Sequence, residues 1–210
     1  MTHLALVRHG ETYWNALRRL QGSSDIPLNA TGRAQAARAG SLLAAGQWDV
    51  LVSSPLSRAG ETADIIGTHL NLTRSGTHPG LTERHFGEAE GITDYEAWDR
   101  WPDGNYPGIE PRADVTRRGL AALDDLAERH PGSAIVAVSH GGLIRSVIGA
   151  LHGWPVPRIP NAAITALRHD GARWAVVTVN GREVDPATPG EPRPRVGDAV
   201  SGWTGDTLNR

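Results

Sequence analysis

Two short apolar runs in this chain each end in a histidine followed by glycine. The first covers residues 3–7 and leads into His9-Gly10, and the second covers residues 133–139 and leads into His140-Gly141. Short apolar runs bounded by turn-forming residues are typical of buried strands, and an apolar pattern of helical spacing follows the second run. The pattern therefore predicts two strands that deliver a histidine to the same edge of a sheet, where ligands bind in open α/β folds.

The rest of the chain alternates between strand-like and helical patterns. A strand is predicted over residues 50–53 and an edge strand within 71–77, and helical spacing recurs over 30–45, 55–70 and 113–129. This alternation predicts an α/β fold, a three-layer α/β/α sandwich with a mainly parallel central sheet.

The second of these helices has a recognisable start. Ser54 is expected to cap it and Pro55 to occupy its first position, which places Arg58 in the first turn. A cation is unfavourable at the positive end of a helix dipole, so Arg58 predicts an anion nearby.

Three regions depart from the alternation. Residues 82–111 are rich in Trp, Gly and Pro and predict a small cap inserted over the sheet edge. Residues 163–168 and 174–179 flank a turn and predict a β-hairpin. We expect one domain over residues 1–180, followed over 181–210 by a Pro-, Gly- and charge-rich tail that is extended or disordered.

Composition excludes several classes of function. The 210 residues include no cysteine, so a zinc–thiolate site and a cysteine nucleophile are excluded, and all 21 basic residues are arginine, so a Walker-type phosphate loop is excluded. The net charge of −2 gives no reason to expect nucleic acid or a membrane as a partner. Since the first strand begins almost at once, we expect no signal peptide and a cytoplasmic location. The oligomeric state stays open, with a homodimer as one alternative.

The chemistry of the first strand end is that of phosphoryl transfer. A neutral imidazole such as that of His9 is a nucleophile, and the guanidinium of Arg8 matches two phosphate oxygens at once. Neighbouring positive groups would lower the pKa of His9 and keep it neutral. The sequence contains no metal-binding signature, so we expect no metal and no cofactor.

Five ordered blocks resemble the histidine phosphatase superfamily, in the branch named for cofactor-dependent phosphoglycerate mutase. They are Arg8-His9-Gly10-Glu11-Thr12 with Asn15, Ser54-Pro55-Leu56-Ser57-Arg58-Ala59, Leu81-Thr82-Glu83 with Phe86-Gly87, Glu90-Gly91, and Ser139-His140-Gly141-Gly142. The resemblance implies a phosphomonoester hydrolase that acts through phosphohistidine on a small phosphorylated metabolite.

The resemblance also assigns roles to residues. It implies that His9 is the nucleophile and that Glu83 is the general acid, with Glu88 and Glu90 as neighbouring rivals and Glu11 as a support of the first loop. The oxygens of the transferred phosphoryl group would be bound by Arg8, Arg58 and His140. Substrate binding would fall to Asn15, Gln21 and Gly22.

Two other functions remain open from the sequence. A phosphoglycerate mutase is one, but the cap is short, lysine is absent, and Asp94 and Glu96 are expected to repel a substrate carboxylate. A regulatory module that recognises phosphorylated proteins is the other.

The segment Tyr106–Pro111, taken with Arg117, resembles the part of the family that closes the cap, although Ile109 and Pro111 depart from that pattern. Trp98, Trp101 and Tyr106 are expected either to line the leaving-group pocket or to form a local core.

Overall fold

The structure is a computed structural model that describes residues 1–153 and 155–184. Over these residues the chain forms seven strands: β1 (Thr2–Arg8), β2 (Val50–Ser53), β3 (Gly76–Thr77), β4 (Ala134–Ser139), β5 (Ile164–His169), β6 (Trp174–Val179) and β7 (Arg182–Glu183). They make one sheet in the order β3-β2-β4-β1-β5-β6-β7. Strands β1 to β4 pair in parallel, and β5, β6 and β7 each pair antiparallel with the preceding neighbour in that order.

Six α-helices accompany the sheet in the described residues: α1 (Tyr13–Ala16), α2 (Ala30–Leu43), α3 (Ser57–Leu70), α4 (Asp94–Arg100), α5 (Arg112–Arg129) and α6 (Gly141–His152). Two short 3₁₀ helices, Pro79–Leu81 and Gly87–Ala89, lie between α3 and α4. None of the helices in the described ranges is long and apolar enough to span a bilayer.

The alternation of side chains along β1 explains the layers. Leu4 and Leu6 pack in a core with residues of α5 and α6, whereas Ala5 and Val7 pack in a second core with residues of α2 and α3. Successive strand residues point to opposite faces of a sheet, so a fully buried apolar strand needs helices on both sides. The predicted three-layer α/β/α sandwich with a mostly parallel sheet is confirmed.

The start of α3 differs from the prediction. The helix begins at Ser57 rather than at Pro55, and Leu56 caps it without a side-chain hydrogen bond. The Ser54 hydroxyl lies 2.8 Å from Nε2 of His140. Ser54 therefore bonds the second histidine, and it meets the helix start only through the nitrogen of the cap residue Leu56, at 3.3 Å.

The end of the sheet lies beyond the predicted boundary. The hairpin of β5 and β6 forms as predicted, and β7 adds residues that the sequence assigned to the tail. Residues 185–210, the remainder of that predicted tail, lie outside the described residues.

The turn after β1 is held by a close approach to α2. A Cβ placed on Gly32, in the first turn of α2, would overlap the carbonyl of Glu11 and come within 2.6 Å of its nitrogen. Asn29 caps α2 by accepting a hydrogen bond from the Gly32 nitrogen at 2.8 Å, and its amide also donates to the Glu11 carboxylate. Glu11 thus supports the loop, as predicted.

Replacing Gly32 by alanine tests this contact. Overpacking against backbone costs about 1–3 kcal/mol, which exceeds the roughly 1 kcal/mol that alanine gains over glycine inside a helix. We expect Gly32→Ala to lower the free energy of unfolding, as measured by urea denaturation.

The matched control is Gly60→Ala in α3. Its Cβ would meet the Arg74 guanidinium at an ordinary contact distance of 3.5 Å, so the same substitution should raise the free energy of unfolding by up to about 1 kcal/mol. Changes of the same sign in both variants would contradict the described packing.

Candidate active site

The two predicted histidines meet where β1 and β4 end. Arg8 pairs with Ser139 across the two parallel strands, and the His9 nitrogen donates to the Ser139 carbonyl at 2.9 Å. The His9 and His140 rings follow side by side, with centroids 5.1 Å apart. The predicted convergence of the two histidines at one sheet edge is confirmed.

His9 has a defined tautomer. Its Nδ1 lies 2.6 Å from the Gly10 carbonyl, so Nδ1 carries the hydrogen and Nε2 keeps its lone pair. Burial lowers the pKa of His9 well below its usual value, and the charges of Arg58 and Arg8 lower it further. The imidazole is therefore neutral, as a nucleophile must be.

Arg8 and Arg58 are held by backbone carbonyls. Arg8 donates to the Ile159 carbonyl at 2.7 Å, and Arg58 donates to the carbonyls of Ser24 and Gly22 at 2.8 and 2.7 Å. Burial lowers the pKa of each guanidinium to about 10, against the opposing effect of Glu83. Both arginines consequently stay charged near neutral pH.

His140 is oriented by Ser54. The Ser54 hydroxyl oxygen accepts from the Leu56 nitrogen at 3.3 Å, which leaves its hydrogen free to bond Nε2 of His140. The ring hydrogen then resides on Nδ1 and makes that atom a donor. Burial lowers the pKa of His140 well below its usual value, with Arg58 as the next cause, so this ring is also neutral.

Glu83 lies against the first turn of α6. Its carboxylate accepts from the nitrogens of Gly142 at 3.0 Å, Leu143 at 3.1 Å and Arg84 at 2.8 Å. A Cβ on Gly142 would come within 3.1 Å of the Glu83 carboxyl carbon. The second glycine after His140 therefore makes room for Glu83, which the sequence pattern did not indicate.

The segment carrying Glu83 is fixed by a residue that the sequence analysis missed. Arg118 in α5 donates to the carbonyls of Gly80, Thr82 and Glu83 and to the carboxylate of Glu110. The sequence pattern associated Arg117, not Arg118, with the Glu110 segment, but Arg117 pairs with Asp114 on the exposed side of α5. Adjacent residues of a helix point in different directions, and the packing of α5 determines that Arg118, not Arg117, points towards the Glu83 segment.

The rival acidic residues have other positions. Glu90 accepts hydrogen bonds from Ser23, Ser24 and Phe86. Burial acts to raise its pKa, but these bonds outweigh burial and lower the pKa to about 2. Glu88 is exposed and does not line the cleft. Of the three carboxylates Glu83, Glu88 and Glu90, Glu83 therefore lines the cleft that contains His9.

The three predicted substrate-binding residues lie around one loop. Asn15 and Gln21 line a cleft of about 230 Å³ together with Arg8, His9 and Glu83. The Asn15 amide donates to the Gln21 side-chain oxygen at 3.3 Å. Gly22 does not line this cleft, and its carbonyl instead accepts from Arg58.

Two further supports were not found from the sequence. Thr62 accepts from the Gly10 nitrogen at 3.0 Å and donates to the Arg58 carbonyl at 2.7 Å, so it joins the first loop to α3. One indication of this contact lay in the sequence, because Thr62 follows Arg58 by four residues and residues with that spacing are neighbours on a helix. Asn161 donates to the His9 carbonyl and to Asn15, and nothing in the local sequence indicated it.

The three aromatic residues that were expected at the leaving-group pocket or in a local core do not line the cleft, although Phe86 does. Trp101 and Tyr106 pack on each other with ring centroids 5.6 Å apart, and Trp98 is exposed. Asp94 lines the cleft, and its charge is compensated by Arg18 in an ion pair of 2.9 Å. Glu96 accepts hydrogen bonds from Thr93 in the cap of α4.

Four buried nitrogen atoms share one property. They belong to predicted site residues and have no hydrogen-bond partner among the described residues: Arg8 Nε, Arg58 Nε, His140 Nδ1 and Gln21 Nε2. Buried oxygens without a partner also occur outside the site, at Thr165 and Asn180. A buried donor without a partner costs about 1–3 kcal/mol. Donors of this kind suit a ligand with several negative oxygens. The described residues contain no cluster of three or more acidic or histidine side chains suited to a metal ion.

Comparison with known proteins agrees with this arrangement. The model of the histidine phosphatase superfamily (branch 1) matches residues 4–182. The uncharacterized phosphatase PhoE of Bacillus subtilis is 35% identical over 184 residues, which cover 86% of this chain and 95% of that protein. The probable phosphoglycerate mutase GpmB of Yersinia enterocolitica is 33% identical over 190 residues, with coverages of 83% and 88%.

A solved structure extends the similarity to the fold. The mycobacterial glucosyl-3-phosphoglycerate phosphatase complexed with VO3 has a TM-score of 0.78 and 30% identity, and the match covers 85% of this chain and 98% of that one. With its strand-end histidines, buried arginines and nearly full-length match, this chain belongs to the histidine phosphatase superfamily, branch 1.

Proposed function

We propose that this histidine phosphatase hydrolyses phosphomonoesters of small metabolites by way of a phosphohistidine on His9. The observation that carries the proposal is the neutral, buried His9 imidazole, whose Nδ1 is bonded to the Gly10 carbonyl while Arg8 and Arg58 lie close enough to lower its pKa. A nucleophile and fixed cations at one point suit attack on phosphorus.

The first step transfers the phosphoryl group to the enzyme. Nε2 of His9 forms a bond to phosphorus as the bond from phosphorus to the ester oxygen breaks. Arg8, Arg58 and the Nδ1 donor of His140 bind the phosphoryl oxygens, on which negative charge collects. Glu83 gives a proton to the departing oxygen, so that an alcohol leaves.

The second step returns the free enzyme. Water attacks phosphorus, the bond between Nε2 and phosphorus breaks, and Glu83 takes a proton from the water. Inorganic phosphate then leaves. Asn15 and Gln21, on the cleft wall, are proposed to contact the substrate, and Gly22 acts through its hydrogen bond to Arg58.

A mutase is the second candidate, because the GpmB relative bears that name. The phosphatase is favoured by the match to PhoE, which covers 95% of that protein. The two reactions give different products: a phosphatase releases inorganic phosphate, whereas a mutase returns an isomeric ester. A concave cleft suits a small substrate better than a phosphorylated protein surface, which disfavours the regulatory module.

The proposed role of Glu83 predicts a dependence on the leaving group. A poor leaving oxygen needs a proton in the transition state, whereas nitrophenolate needs little help. General-acid catalysis contributes about 10²–10⁴-fold. We expect Glu83→Gln to lose activity in that range on glycerol 3-phosphate and far less on p-nitrophenyl phosphate, as measured by phosphate and nitrophenol release.

Two further variants sharpen this experiment. Gly142→Ala should push the Glu83 carboxyl out of place and reproduce part of the same pattern. Glu88→Gln removes a neighbouring, exposed carboxylate outside the cleft and should change neither rate. Equal losses on both substrates in Glu83→Gln would contradict the assignment of the general acid.

The neutral state of His9 predicts how stability depends on pH. In the unfolded chain a histidine takes up a proton as the pH falls through about 6.5, whereas folded His9 does not, since its pKa is lowered well below that value. The unfolded state then binds more protons, so stability declines as the pH drops below about 6.5. The decline approaches about 1.4 kcal/mol per pH unit for such a histidine.

Urea denaturation between about pH 7.5 and pH 5.5 measures this slope. The variant His9→Gln should show a smaller decline than the unmodified protein, because it lacks one of the histidines that stay neutral on folding. An identical slope in the two proteins would show that His9 takes up its proton over the same pH range folded and unfolded, which would contradict the neutral state of folded His9.

A further inference from the structure

Arginines dominate the wall of the cleft beyond the proposed phosphoryl site. Four guanidiniums and one carboxylate line it there: Arg18, Arg19, Arg145, Arg158 and Asp94. The Arg18 charge is compensated by Asp94 at 2.9 Å, and Arg19 donates to the Gly91 carbonyl. The remaining wall therefore has a net positive charge.

Arg145 and Arg158 differ from the other two. Neither side chain makes an ion pair or a hydrogen bond within the part of the chain that the structure describes, and both are exposed at the cleft. The charge of Arg158 acts with burial to lower the pKa of Arg8, while Glu83 acts against them. Arg158 thus lies close enough to Arg8 for the two positive charges in the cleft to repel each other.

The fold fixes where these two cations lie relative to the reaction. Arg145 follows Gly141 and Gly142 by four and three residues on α6, and residues with that spacing share one helix face. All three line the cleft. Glu83 accepts from the Gly142 nitrogen, so the backbone of Arg145 lies three residues, roughly 4.5 Å of helical rise, from the backbone nitrogen that holds the proposed general acid. Arg158 directly precedes Ile159, whose carbonyl holds Arg8.

We infer that the leaving group of the substrate carries a second anionic group, a carboxylate or another phosphate, and that Arg145 and Arg158 bind it. The inference rests on the proposed function, since it places the leaving oxygen beside Glu83. Guanidinium forks bind both carboxylate and phosphate through paired hydrogen bonds.

The test compares phosphomonoesters that differ in the charge of the leaving group. The probes are 3-phosphoglycerate with a carboxylate, propane-1,3-diol bisphosphate with a second phosphate, glycerol 3-phosphate without charge, and phosphoethanolamine with a cation. We expect kcat/KM for one of the anionic esters to exceed that of glycerol 3-phosphate by about tenfold or more, with phosphoethanolamine the poorest. The anionic ester with the higher kcat/KM shows whether the second anionic group is a carboxylate or a phosphate.

The arginine variants assign the effect to residues. Arg145→Gln and Arg158→Gln should each lower the ratio of kcat/KM for the better anionic ester over glycerol 3-phosphate by about tenfold. Arg38→Gln is the matched control, because Arg38 is exposed on α2 and does not line the cleft. A ratio near one in the unmodified protein, or a ratio that neither cleft variant changes, would overturn the inference.

A binding measurement separates this inference from the proposed reaction. Calorimetry on His9→Ala reports whether 3-phosphoglycerate or the bisphosphate binds more tightly than glycerol 3-phosphate without any turnover. Selective binding without hydrolysis by the unmodified protein would reject the phosphatase and retain the anion subsite. Hydrolysis of all esters with equal binding would retain the phosphatase and reject the subsite.

Discussion

Strands β1 and β4 pair in parallel with Arg8 opposite Ser139, and this register places the two histidines of the site, around which the other groups lie. A shift of one residue would turn each side chain of the strand to the opposite face. Both strands are buried on both faces, so such a shift would exchange the contents of the two cores. The apolar packing that stabilises the fold thereby also fixes His9 beside His140, with their ring centroids 5.1 Å apart.

The site concentrates positive charge at a buried point. Burial lowers the pKa of Arg8 and Arg58 to about 10, which still leaves both charged near neutral pH. The same burial keeps His9 and His140 neutral. Arginine serves here as the fixed cation and histidine as the uncharged nucleophile or donor, so the division of roles follows from the intrinsic pKa of each side chain.

The chain's local pattern was sufficient to predict the strand ends and the fold class. An apolar run and the glycine that ends it are neighbours in sequence, so this local pattern located His9 and His140. The predicted start of the following helix located Arg58 in the same local way. Contacts between distant segments were not predictable in this way. Arg118 binds the Glu83 segment from 35 residues away, and its choice over Arg117 depends on the phase of α5.

The central claim is that a phosphoryl group is carried on Nε2 of His9. Rapid-quench labelling with a ³²P-labelled phosphomonoester, followed by peptide mapping, tests it most directly. The account predicts label that is labile in acid and stable in base, located on His9 and lost in His9→Ala. Label on another residue, or turnover with no labelled enzyme at any quench time, would contradict the account.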